Sequence, residues 1–532
     1  MSVRRCFLFM LVLVAPRLSA QDSHHGAQLV LAGDRAGARA ELSMALQHND
    51  RDAAAHYSLG RLAILDDHPD VATAGMLGAQ DPEPSSFVQH ALSLDVRIDY
   101  LLQRVDGKAS ITLQNWTTGP ARRVSFLLNR LMGVRSVRST GEPALTFRQE
   151  VVRFSDDSMR QVTRVLVDLP RAVAPGKEVT LDVEYGGNLV GYVEVGWLYV
   201  KDRIDSSFTI LRSEALAFPV IGTTNDGANR RIPNVEFTFD AAVTVPDGFV
   251  VATGGVLVSH DLVAGGRRWH YHSDAKSPFL NIAIARYDMI ASDGVRVFSL
   301  PEDSTGARGV QKSARDALRL LGEWFGPLGG EPQVTIIEIP EGWGSQAHLV
   351  GGIIQEASAF KKATSQGALY HELSHLWNVR DTDAPSPRWN EGLAMFMQLL
   401  LRERLEGWTG RSEALAQRAA SLREAAARDS GLRSTPFVQY GRAAMTGRSY
   451  TVGQLMFGVL YELVGDVDFM RIVGGYFQQY RVGGTTEDFI AFAKKTSSHD
   501  LTRFFADWLY TTGWVGLLKD NTTANSLAML YR

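Results

Sequence analysis

The run Tyr370-His371-Glu372-Leu373-Ser374-His375-Leu376-Trp377 restricts this chain more than any other stretch. On a helix, His371 and His375 are i and i+4, so both imidazoles leave one face a turn apart and can close on one metal ion. Glu372 points about 100° away around the helix, a poor direction for a third ligand but a good one for holding a water at the metal. A hydrolytic zinc site takes three protein ligands and leaves the fourth position to water, so another ligand must follow downstream. Glu391 is the best candidate, because Trp389-Asn390-Glu391-Gly392-Leu393-Ala394 reads as the start of a second helix with the carboxylate in its first turn. Asp381 and Asp383 are nearer in sequence but sit in a loop with Thr382, Pro385 and Pro387, and are weaker choices.

Export is suggested by the amino terminus. Residues 1–20 have Arg4 and Arg5, an apolar run from Cys6 to Ala15 and a small-residue end at Leu18-Ser19-Ala20, the layout of a cleaved signal peptide too short to span a membrane. A periplasmic or secreted protein is the expectation, with no membrane span in the mature chain. Cys6, the one cysteine, would leave with that segment, so the mature chain would rely on its cores without disulfides. Three arginines would leave as well, taking the formal net charge from −3 to −6, which excludes a nucleic-acid role.

Residues 21–90 carry a helical pattern and a linker. Ala38, Leu42, Ala45 and Leu46 share one face, and Ala53 to Ala63 continue in similar spacing, resembling little more than one tetratricopeptide helix pair. That segment reads as a helical spacer, or as a surface for a protein partner. After Asp81-Pro82-Glu83-Pro84 the period changes to two: Leu94, Val96, Ile98 and Tyr100 alternate with charged residues, and similar runs recur to about residue 295. Short alternating strands with Gly, Pro and Asp turns predict an antiparallel β-sandwich over residues 91–295. Beyond Pro301 helices dominate, interrupted by strands at Val334–Pro340 and around Gly351-Gly352-Ile353-Ile354 with a Gly-rich turn between them.

The two blocks His371–Trp377 and Trp389–Ala394 resemble the zinc site of the aminopeptidase N family, gluzincin metallopeptidases with a thermolysin-like catalytic domain. Fifteen residues separate His375 from Glu391, three fewer than in that family. Glu214-Ala215-Leu216-Ala217-Phe218-Pro219 and Val245-Pro246-Asp247-Gly248 are similar to its amino-terminal β domain, so the likeness covers about residues 91–515. The expected chain is multidomain α+β: the helical tetratricopeptide-like start, which falls outside the resemblance, then the sandwich and, as the resemblance implies, a thermolysin-like, mainly helical zinc peptidase domain over residues 296–532. The resemblance also implies one Zn2+, a peptide substrate, Glu372 as the base, and Tyr450 in Tyr450-Thr451-Val452-Gly453 as donor to the oxyanion.

The family's Gly-x-Met-Glu-Asn strand, whose Glu binds the substrate's free amine, has no clear counterpart here. Gln346, Gln355 and Glu356 are the substrate-binding candidates. The expected activity is therefore an exported zinc metallopeptidase, foremost an aminopeptidase on short peptides. The alternatives are an endopeptidase or peptidase-like hydrolase without free-amine specificity, and a binding protein with a vestigial site. The chain also leaves little room after Trp508-Leu509 for the family's capping domain, so a more open cleft is expected.

Overall fold

The computed structural model describes residues 84–532, apart from residues 140–141, 234–235, 329–332, 349 and 362–365. The signal-peptide and helical-repeat readings of residues 1–83 lie outside the described residues. From Ser85 onward the chain is a single unit.

Its first part follows the alternating pattern. In Phe87–Asp99, Leu92, Leu94, Val96 and Ile98 are buried while Ser93, Asp95 and Arg97 face water. The strand lies inside a seven-stranded sheet that runs Val256–Val263, Gly266–Ser277, Phe237–Val245, Phe87–Asp99, Arg104–Asn115, Glu178–Asn188, Met132–Ser139. A four-stranded sheet, Phe147–Arg153, Gln161–Val173, Ala121–Asn129 and Val220–Ile221, covers its inner face. Val124, Phe126, Val165 and Val167 of the smaller sheet share one core with Leu94, Ile111, Leu181 and Val183 of the larger, which makes a sandwich.

Two expectations are corrected here. The sandwich is not antiparallel throughout, because Phe87–Asp99 pairs in parallel with Phe237–Val245. A parallel pair needs a long crossover, and the strands from Arg104 to Ile221 provide it. The boundaries also move. The sandwich starts at Phe87, inside the stretch read as helix and linker, and Asp288–Ser292 and Val295–Ser299 already belong to the next sheet. Tertiary pairing decides that second boundary, since Val295–Ser299 pairs in parallel with Val334–Ile339.

That next sheet runs Asp288–Ser292, Val295–Ser299, Val334–Ile339, Gly352–Glu356, Gln346–His348, with its three central strands parallel. The turn before Gly352 thus contains a short edge strand, where the sequence suggested only a loop. Helix α1 (Ser304–Phe325) makes the crossover and buries Ala307, Val310, Ala314, Ala317, Leu321 and Phe325 at helical spacing. A small sheet of Val250–Ala252, Asn281–Ala285 and Thr209–Arg212 joins the sandwich to this sheet through Phe208, Ile210, Ala283, Ile337 and Ile354. Arg212, fully buried with Asp202 at 2.7 Å, also donates to the carbonyls of Trp343 and Tyr199 and so fastens the sandwich to the loop before the edge strand.

Six longer helices form one core with α1: α2 (Gly367–Ser374), α3 (Trp389–Glu406), α4 (Arg411–Arg428), α5 (Ser449–Val464), α6 (Asp466–Gln479) and α7 (Thr486–Thr496). Helices α3 and α5 meet at Gly392 and Gly453. A Cβ on Gly392 would lie 2.3 Å from the Gly453 Cα, and one on Gly453 would lie 2.8 Å from the Gly392 Cα. Only glycine allows that approach. Gly453→Ala should cost about 1–3 kcal/mol through overpacking, read from chemical denaturation. Gly447→Ala, where a Cβ meets nothing within 4 Å, should stay near wild type.

Candidate active site

Helix α2 ends at Ser374, whose hydroxyl donates to the Tyr370 carbonyl at 2.6 Å, and the chain tightens into a 3-10 turn over His375–Trp377. Trp377 pins that turn by donating its indole N–H to the Gly326 carbonyl at 2.8 Å. The result puts His371 Nε2 and His375 Nε2 3.1 Å apart. Glu391 lies in the first turn of α3, with Oε2 3.3 Å from His375 Nε2 and 3.6 Å from His371 Nε2. Among the described residues these three form the one cluster of possible metal ligands.

The geometry fits an ion. A tetrahedral zinc with bonds of about 2.0–2.1 Å needs ligand atoms about 3.3 Å apart, in the range seen here. Glu391 Oε2 is buried with no hydrogen-bond partner, a state that costs about 1–3 kcal/mol unless a cation satisfies it. Burial by itself would raise the Glu391 carboxyl, but His375, His371 and Arg388 outweigh it and hold the group well below the usual carboxylate range. Two imidazole nitrogens and one carboxylate oxygen leave a fourth position open, as hydrolytic zinc requires.

Around the cluster stand the groups that would work on a substrate. Glu372 is buried, and burial pushes its carboxyl up to about 8, with His371 opposing and Glu391 and Glu356 adding repulsion. A bound divalent cation would pull it back down. The Gly392–Gly453 approach brings the first turn of α5 over the site, so that the Tyr450 ring lies 6.3 Å from the His371 ring with the planes 17° apart. Burial raises the Tyr450 phenol far above its ordinary value, with Glu391 adding to the effect, so it is a proton donor at neutral pH.

Asp381 and Asp383, the nearer candidates for third ligand, are committed elsewhere. Asp381 accepts from the Ser386 hydroxyl and from the Asp383 N–H, and Asp383 accepts from the N–H and hydroxyl of Thr486 at 2.9 and 2.6 Å. They shape the loop between the two ligand helices. Thr485 caps α7, with Asp488 completing a capping box.

The three substrate-binding candidates are separated. Gln355 is fully buried, and its amide N–H donates to the Ser345 hydroxyl at 3.3 Å. Gln346 is on the edge strand, but its amide is held between Glu214 and Asn281. Glu356 is half-buried and accepts from the Gly344 N–H at 2.7 Å, and its charge adds to the rise of the Glu372 carboxyl.

Three residues were not singled out from sequence. Asn378 Nδ2 lies 2.5 Å from His375 Nδ1 and forms a side-chain hydrogen bond that holds this ring from behind, on the side away from Nε2. Glu214, part of the family-like stretch Glu214–Pro219, keeps one buried oxygen unpartnered while the other accepts from Gln346. Arg388 forms an ion pair with Glu391. A separate cavity of 410 Å³, lined in part by Arg315, Leu318, Leu328 and Trp377, contains none of these groups.

The architecture recurs in solved structures. An M1 zinc metallopeptidase from Deinococcus radiodurans superposes with a TM-score of 0.56 at 19% identity, over 80% of this chain and 93% of that one. A mutant of it bound to a Tyr-Ser-Ala substrate gives 0.58 over 80% and 94%, also at 19% identity. Native yeast LTA4 hydrolase gives 0.60 at 14% identity, over 80% and 68%. The chain has the fold of the M1 zinc metallopeptidases. No protein-family model and no curated protein sequence matches it. Within the M1 fold, His371, His375 and Glu391 lie on α2, its 3-10 extension and α3.

Replacing Glu391 by Ala should remove stoichiometric zinc from purified protein, measured by elemental analysis after dialysis. Asp381→Asn should keep about one zinc per chain, since that carboxylate serves the loop. Equal zinc content in the two variants would reverse the ligand assignment.

Proposed function

We propose that this chain is a zinc-dependent peptidase that removes residues from the amino end of short peptides. The observation that carries the metal reading is the buried, unpartnered Glu391 Oε2 at 3.3 and 3.6 Å from two imidazole nitrogens. When bound there, zinc would polarise the scissile carbonyl and acidify a water. Glu372, next to His371 and buried, takes the proton from that water and delivers it to the leaving amine. Tyr450 donates a hydrogen bond to the oxyanion as it forms, a contact whose loss costs about 10²–10³ in rate.

Free-amine preference rests on charge. Glu356 and Glu214 both present carboxylates near the edge strand Gln346–His348, and a peptide lying along that strand would bring its cationic amino group towards them. The edge strand itself, Gln346-Ala347-His348, carries no carboxylate. That favours, as a second reading, an enzyme indifferent to a free amine. The signal-peptide reading of residues 1–20 places the activity outside the cytoplasm, and residues 21–90 are the segment proposed to meet a protein partner. No helix among the described residues is long and apolar enough to cross a membrane.

A panel of aminoacyl fluorogenic amides, assayed beside the same compounds with the amine acetylated, separates the readings. The expected result is cleavage of the free-amine series alone, lost with chelator and restored by zinc. Cleavage of the blocked series would establish the second reading, and no cleavage of either by zinc-loaded protein would overturn the peptidase proposal. Glu372→Gln should lose about 10²–10⁴ in kcat while keeping its metal.

A further inference from the structure

Arg388 occupies a position that helix stability does not explain. It immediately precedes α3, where its cationic side chain opposes the helix dipole and where Ser, Asn or Gly would serve better. Its backbone is left-handed, with φ 56° and ψ 39°, a conformation that costs a non-glycine residue about 1–2 kcal/mol. Several bonds hold it there. The Arg388 N–H donates to Ser386 Oγ at 3.0 Å, Ser386 is in turn bonded to Asp381, and Ser449 of α5 donates to the Pro387 carbonyl at 2.6 Å. Its own carbonyl accepts from the Glu391 N–H at 3.2 Å.

This bend lets the side chain reach Glu391 three residues later. Arg388 Nη2 donates to Glu391 Oε1, while Oε2 stays free and aimed at the two imidazoles. From this geometry we infer that Arg388 is a positioning residue: it clamps Oε1 so that Glu391 offers a single, fixed oxygen to the metal. The inference rests on the zinc-site reading above.

Two effects of the guanidinium oppose each other. Its charge repels a bound cation, which weakens metal binding, and its hydrogen bond orders the carboxylate, which strengthens it. The guanidinium sits on the Oε1 side, a carboxylate's width from the oxygen that would meet a cation, so its repulsion is weakened by distance, whereas the Glu391 side chain is 7% exposed and its orientation is set by the protein alone. Ordering therefore wins. Groups that orient a metal ligand in this way typically contribute about 10–100-fold in metal affinity.

The test is zinc affinity of metal-stripped protein, measured by competition with a chromogenic chelator, together with the thermal midpoint of the metal-free form. Arg388→Met should bind zinc about 10–100-fold more weakly, and Arg388→Lys, which keeps the charge but loses the planar fork, should recover part of the loss. The metal-free midpoint of Arg388→Lys, which keeps a positive charge beside Glu391, should stay close to wild type. Wild-type affinity in Arg388→Met overturns the inference, as does an equal loss in both variants that follows a lowered metal-free midpoint. If Arg388→Met does not fold, Arg388→Gln replaces it under the same criteria. Glu391→Ala is the reference. Retained zinc affinity in that variant defeats the zinc-site reading itself, whereas its loss alongside a fully retained affinity in Arg388→Met defeats the clamp alone.

Discussion

One buried carboxylate oxygen organises this protein. Glu391 Oε2 has two imidazole nitrogens beside it, no donor of its own, and little access to water. A negative charge in that setting is stable only next to positive charge, which the flanking histidines and Arg388 supply in part and a divalent cation would supply in full. The rest of the helical region can be read as the means of keeping those groups together. The Gly392–Gly453 crossing sets the distance between α3 and α5, the loop carboxylates Asp381 and Asp383 fix the path from α2 to α3, and Trp389 stacks on Phe489 to seat the start of α3.

The sandwich contributes to the site through a few contacts rather than through its core. Arg212 bonds across to Tyr199 and Trp343, and Glu214 reaches Gln346 on the edge strand. The Arg212–Asp202 pair is fully buried, and burial pushes the Asp202 carboxyl up to about 6 with the guanidinium opposing. Such a pair adds little net stability compared with an apolar replacement. What it does is hold the loop that carries Gly344 and Ser345, and with it the Glu356 side chain, in one place.

Much of this was readable in the sequence, for reasons tied to distance along the chain. His371, Glu372 and His375 are related by one helical turn, and Glu391 by the first turn of the next helix, so local periodicity was enough to find them. Tyr450 was singled out by a motif, and its ring lies 6.3 Å from that of His371. Contacts between remote segments were not readable: Gln355 could not be told from Glu356 without knowing which face of the strand is covered, and the parallel pairing of Phe87–Asp99 with Phe237–Val245 leaves no trace in either strand's pattern. The strands at Asp288–Ser299 look like sandwich strands and belong elsewhere. Arg388 did carry a local signal, a cation directly ahead of a helix, but its meaning depends on the left-handed turn that directs it to Glu391.

The most direct test of the central claim is anomalous diffraction at the zinc absorption edge from crystals of the zinc-loaded protein. A single strong peak about 2.0–2.2 Å from His371 Nε2, His375 Nε2 and one oxygen of Glu391 is the predicted result. A peak held by other residues, or none between α2 and α3 in crystals of protein shown to contain zinc, would contradict it.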